Sequence, residues 1–196
     1  MNKKKLMIFR SEQFTSSDDD DMAVSGYFAV FDQPTDLCPG EKEVIKRGAF
    51  SETLKKEEIV ALWDHDSQKV LGRTGNGTLE LEEDEHGLRG TLHIAPTSYG
   101  KDVYQLIKRG DLVGCSFGFY VDEYKDVKID GTVTYEITKV QLLEVSVVTW
   151  PQYEQTEIAV RSKTESANFY REAEKKKQKE FQIKKARGLQ KLWTNF

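Results

Sequence analysis

The amino-acid sequence predicts a mainly β protein with flanking helices, its mostly antiparallel sheet closed or folded on itself. Apolar residues alternate with polar ones at period two through most of the middle of the chain, and Gly, Asp and Asn punctuate the runs at short intervals. Only two stretches show helical spacing there. The length of 196 residues suits one domain with terminal tails, and 38% hydrophobic residues with 10 Phe, 8 Tyr and 3 Trp supply one core.

The chain opens with a basic head, MNKKKLMIFRSEQF, followed by the like-charge block SSDDDD from Ser16 to Asp21. Such a block is expected to stay solvated rather than pack, so residues 1–21 are read as a flexible acidic segment and the folded unit as residues 22–162. Strands are expected over 24–31 (VSGYFAVF), 58–65 (EIVALWDH), 79–83, 87–95 (GLRGTLHIA), 113–121 and 133–150, about six or seven in all. Helical spacing marks 48–56 (GAFSETLKK) and 98–109 (SYGKDVYQLIKR), the second with Ser98 as N-cap and Gly110 as its stop. Residues 163–196 hold ten Lys/Arg against four Asp/Glu, whereas the rest carries 19 against 29. The chain is therefore an acidic body with a basic tail, rich in helix formers and read as helical or mobile.

Composition narrows the function classes. No run approaches the roughly 20 apolar residues of a membrane span, and the basic head lacks an apolar stretch of signal-peptide length. Cys38 and Cys115 stand far apart, which suggests neither a disulfide framework nor a thiolate zinc site and fits a reducing cytoplasm. The acidic body argues against direct nucleic-acid binding.

Three segments could carry chemistry. In Gly114-Cys115-Ser116-Phe117-Gly118-Phe119, a strand would put Cys115, Phe117 and Phe119 on one face and Ser116 with Gly118 on the other. Glycine in a strand often marks where a ligand must come close, so Ser116 is a candidate nucleophile on a cleared face; the rival reading is a glycine-relieved bend with an ordinary surface serine. A serine needs a base, and the chain offers His65, His86 and His93. His86 lies among acids in a turn, and His93 alternates with Leu92 and Ile94 in a strand. His65 ends the apolar run IVALW at a rim, where catalytic groups are commonly displayed. A metal site built on Asp64, His65 and Asp66 is disfavoured, because a tripeptide in a strand cannot turn all three side chains to one ion. The third segment is Leu142-Leu143-Glu144-Val145-Ser146-Val147-Val148, where strict alternation puts Leu142, Glu144, Ser146 and Val148 on one face. A carboxylate in so apolar a run needs a partner, and a protonated His would suit it. Nucleophile, base and orienter are then all present, a constellation defined by geometry and not by chain order.

These residues, WDHD around His65, GCSFGF around Ser116 and LLEVSVVTWPQY from Leu142, together with RGAFSETL from Arg47 and GYFAVFDQPTD from Gly26, resemble the prohead maturation proteases of tailed bacteriophages. The resemblance runs through most of residues 24–161. It implies a serine endopeptidase similar in fold to the herpesvirus capsid-assembly protease, an antiparallel β-barrel flanked by helices. Its substrates would be scaffold or the major capsid protein, with cleavage of itself, inside the procapsid in the bacterial cytoplasm. No cofactor is implied, and a homodimer is expected by analogy. Carried over by motif, Ser116 is the nucleophile, His65 the general base and Glu144 the third member. Herpesvirus relatives use a second His in the third place, which leaves His93 open, as are Asp64 and Asp66. Cys115 is a rival nucleophile that the motif argues against. The alternative from another class is a non-enzymatic β-barrel binding or assembly module whose basic tail grips a partner.

Overall fold

The structure is a computed structural model that describes residues 5–10, 15–16 and 22–149 and the two positions 175 and 179. The longest elements are two neighbouring strands, β10 (Gly114–Ile129) and β11 (Thr132–Val148). They are joined at Asp130-Gly131, both with positive φ (48° and 82°), and Ile129 faces Thr132 across the turn. Two left-handed residues match the natural twist of a hairpin, and Asp-Gly adopts them at low cost.

This hairpin organises a seven-stranded sheet. Its β10 edge takes β1 (Lys5–Arg10), antiparallel, with Ile8 opposite Ser116. The other edge takes two strands in parallel, β5 (Glu41–Ile45) beside residues 133–137 and β6 (Val60–Trp63) beside residues 144–147. Beyond these lie β4 (Thr35–Cys38), paired with β5, and β7 (Asp66–Arg73), paired with β6. A second, antiparallel sheet contains β2 (Thr15–Ser16), β3 (Ala23–Val30), β9 (Gly87–His93) and β8 (Leu79–Glu83), in that order.

The protein is mainly β and mostly antiparallel, as its alternation predicts, but the sheets do not close into a barrel. Both outer edges of the long hairpin are taken by β1, β5 and β6, and among the described residues no ladder joins the two sheets. Cys115, Phe117 and Phe119 project from β10 into a single apolar core with Phe28 of β3, Leu88 and Leu92 of β9 and Phe50. Phe117 packs edge-on against Phe50 and stacks on Phe119, with centroids 5.4 Å and 5.0 Å apart. Each buried Phe contributes roughly 1.5–3 kcal/mol, so this face fixes which way β10 turns.

The strands begin earlier than the sequence suggests, since β1 and β2 precede Met22. Of the two expected helices, α2 spans Ser98–Arg109 as read, although Thr97 and not Ser98 caps it, its hydroxyl accepting the Gly100 N–H at 3.0 Å. Val103, Tyr104 and Ile107 are its buried stripe, and Gly110 ends it in the left-handed conformation. The other shrinks to α1 (Thr53–Lys56). Here Gly48 has φ +87°, and the Glu83 carboxylate accepts the Phe50 N–H and the Ser51 hydroxyl, which holds the segment in turns instead. The expected tail helix lies outside the described residues except at Lys175 and Lys179, both helical and exposed.

Candidate active site

The site forms where three adjacent strands of the larger sheet run side by side. Ser116 on β10 is the cross-strand partner of Ser146 on β11, and Ser146 in turn lies beside Leu62 on β6. Neighbouring strands are about 4.8 Å apart, so the row from Ser116 to the end of β6 is short. Ser116 faces away from the core that Cys115 and Phe117 enter, as the alternation requires. Cys115 is fully buried within that core, on the face opposite the serine. Ser116 is also fully buried, and not exposed as a surface serine would be. Its strand is interior, with β1 on one side and β11 on the other.

Glu144 reaches the serine face through a break in register. Gly118 pairs with Glu144 but Phe119 pairs with Leu142, so Leu143 is an extra residue in the strand. This β-bulge sends Leu142 to the core side with Phe119 and Glu144 to the other side, opposite a glycine that offers no side chain to obstruct it. Strict alternation would have kept Leu142 and Glu144 together. A second extra residue on β11, Thr138, has the same effect, and the positions of β11 that enter the hydrophobic core run 135, 137, 140, 142, 145 and 147.

His65 comes from a two-residue turn. Trp63 pairs with Asp66, and the residues between them, Asp64 and His65, have φ of 48° and 60°. Side chains other than Gly pay roughly 1–2 kcal/mol per residue in this region, although Asp and His are among those that tolerate it best. The turn is tied to the end of β11: the Asp64 N–H donates to the Val147 carbonyl at 3.0 Å, and the Asp64 carboxylate accepts the Thr149 N–H at 3.1 Å and its hydroxyl at 3.3 Å. The imidazole is thereby held over Glu144, with Nδ1 2.8 Å from Oε1. The other carboxylate oxygen, Oε2, accepts the Ser146 hydroxyl at 2.7 Å.

An ionised carboxylate only accepts, so Nδ1 carries the proton in this pair and Nε2 of the neutral ring holds a lone pair. That Nε2 is buried and has no hydrogen-bond partner among the described residues. A base held through Nδ1, with Nε2 open to take a proton, is the arrangement that general-base catalysis on a hydroxyl requires.

Of the residues singled out in the sequence, His65 and Glu144 are in direct contact and Ser116 lies on the adjoining strand. The other two histidines lie elsewhere: His93 ends β9 opposite Ala23 in the smaller sheet, and the His86 ring packs edge-on against Tyr27 at 4.6 Å. The Asp66 carboxylate accepts the Gln68 N–H, and that of Asp64 serves Thr149. Among the described residues no group of three or more His, Cys, Asp or Glu gathers to hold a metal, and no helix is long and apolar enough to cross a membrane. Sequence reasoning did not assign Ser146 a role. The signal for it was a lone hydroxyl in an otherwise apolar run, two residues from a buried acid.

Comparison with known proteins gives two results. A family model described as caudovirus prohead serine protease matches residues 10–171. A solved structure of the bacteriophage T4 capsid assembly protease, gp21, superposes with a TM-score of 0.49 at 11% identity, covering 76% of this chain and 100% of that one. No curated protein sequence matches.

Proposed function

The chain belongs to the caudovirus prohead serine protease family, and from that premise we propose that it is a serine endopeptidase of phage procapsid maturation, with Ser116 as nucleophile, His65 as general base and Glu144 as the residue that steadies the imidazolium. The observation that carries this reading is the 2.8 Å bond between His65 Nδ1 and Glu144 Oε1, on the same sheet face as Ser116 and beside it.

In this mechanism Nε2 of His65 takes the Ser116 proton as Oγ attacks the scissile carbonyl. The imidazolium so formed is flanked by the Glu144 anion, which lowers the energy of the charged state without taking the proton itself. The imidazolium then gives its proton to the leaving amine, and a water, activated by the same nitrogen, releases the acyl group from Ser116. Because Ser116 is buried, a substrate chain reaches it only when whatever covers it moves aside. The substrates are scaffold or the major capsid protein, together with the chain itself, and the reaction takes place inside the assembling procapsid.

Intact mass followed over time, for the wild type and Ser116→Ala, each alone and mixed with its cognate major capsid protein, tests the reading. Loss of a terminal piece from either protein in the wild type but not in Ser116→Ala is the expected result. Equal cleavage by both would overturn the assignment of Ser116. No cleavage by either, in a chain that folds and binds the capsid protein, would favour an assembly module without catalysis.

A further inference from the structure

We propose that Ser146 is a positioning residue of the catalytic site, its hydroxyl pinning the Glu144 carboxylate in the one plane that serves His65. The proposal rests on reading Glu144 as the third member of the site.

A carboxylate held at one oxygen is not held in orientation. The terminal torsion of Glu is broad and roughly two-fold, so a single bond from Oε1 to His65 leaves the plane free to rock. The second bond, from the Ser146 hydroxyl to Oε2 at 2.7 Å, removes that freedom. Both partners are withdrawn from solvent, Ser146 fully and Glu144 to 4% exposure, so water does not compete for the contact. They are two residues apart on one strand and share a face beyond the bulge at Leu143, a rigid spacing that needs no long side chain to bridge it.

The chemistry of the donor matters as much as its place. A Lys or Arg at this position would bind the carboxylate more strongly but would cancel the charge that the imidazolium needs. A hydroxyl donates a hydrogen bond and leaves the negative charge in place. The neighbours Val145, Val147 and Val148 show that the strand otherwise favours apolar β-branched residues. A buried hydroxyl among them is costly unless bonded, and here it is bonded to the carboxylate. With its single proton directed to Glu144 and not to His65, Ser146 is not the serine that the histidine activates.

The test is a cycle in the full-length chain: wild type, Ser146→Ala, Glu144→Gln and the double variant, each assayed for kcat and KM on a peptide spanning a cleavage site found by intact mass. Ser146→Ala is expected to lower kcat by about 10- to 100-fold, the scale of a misplaced catalytic group, with KM within about twofold. In the Glu144→Gln background the same substitution is expected to cost less than about threefold, because the group it acts through is already gone. Ser146→Thr and Ser146→Val form a second pair, equal in shape and differing in the hydroxyl, so any strain from the added methyls cancels; the Thr variant is expected to be at least about tenfold faster. Unchanged kcat in Ser146→Ala, an equal loss in both Glu144 backgrounds, or equal rates for Thr and Val would each overturn the proposal. Ser116→Ala run in parallel separates the two claims. If it is inactive while the cycle is additive, only the role of Ser146 fails. If it is active, the reading of the whole site fails.

Discussion

Two turns with positive φ at both central residues stand at opposite ends of β11. At Asp130-Gly131 the chain reverses with φ of 48° and 82°, and at Asp64-His65 it reverses with 48° and 60°. The first uses the residue that adopts a left-handed φ without penalty. The second places a histidine there and anchors it with Asp64, whose backbone and carboxylate hold Val147 and Thr149. Where only a reversal is needed, the cheapest residue does it. Where a side chain must be held in place, strain is kept and offset by bonds nearby, the pattern expected at functional sites.

That contrast can be broken or sharpened by substitution. The largest effect is expected at His65. His65→Ala and His65→Gly are both expected to lose activity by about 10⁶-fold, as for removal of a triad histidine, yet the Gly variant should be more stable than the Ala variant by about 1 kcal/mol. Denaturant titration of the pair measures this; equal stability would show that the turn carries no strain. Next is Asp64→Ala, which removes the anchor but no reacting group. It is expected to lower kcat by about 10- to 100-fold through a displaced imidazole and to cost about 1 kcal/mol in stability. Steady-state kinetics on a cleavage-site peptide would check it, and an unchanged kcat would mean that the Glu144 bond alone places His65. The smallest effect is expected at Gly131→Ala, where thermal unfolding should fall by about 2–4 °C with turnover unchanged.

Much of the candidate site is legible in the sequence, and the reasons are local. Cys115, Phe117 and Phe119 alternate cleanly, so the face of Ser116 follows from period two alone. His65 is legible because the apolar run before it ends abruptly. The Glu144 pairing is chemically guessable, since a lone acid in an apolar strand needs a partner, but its face is not. The bulge at Leu143 breaks the alternation, and a bulge depends on the partner strand, Gly118 and Phe119, which lies far off in the sequence. The parallel partners β5 and β6 are invisible for the same reason, and the outer half of β10 escapes because residues 122–129 are mostly exposed and charged, with no apolar face to betray a strand. The Asp130-Gly131 signal in that stretch would have revealed it.

The parallel placement of β6 along β11 also bears on the order of events as the chain folds. The bond between His65 and Glu144 closes a loop of 79 residues, and β5 and β6 pair with residues 92 and 84 positions downstream. Long-range pairings of this kind form slowly, because the entropy of closing the loop is spent before the contact rewards it. A chain still emerging from the ribosome has neither Ser116 nor Glu144 until most of residues 1–149 are made, and local elements such as α2 can form well before then. Pairing of His65 with Glu144 is therefore expected among the last steps of folding, after local elements such as α2 have formed.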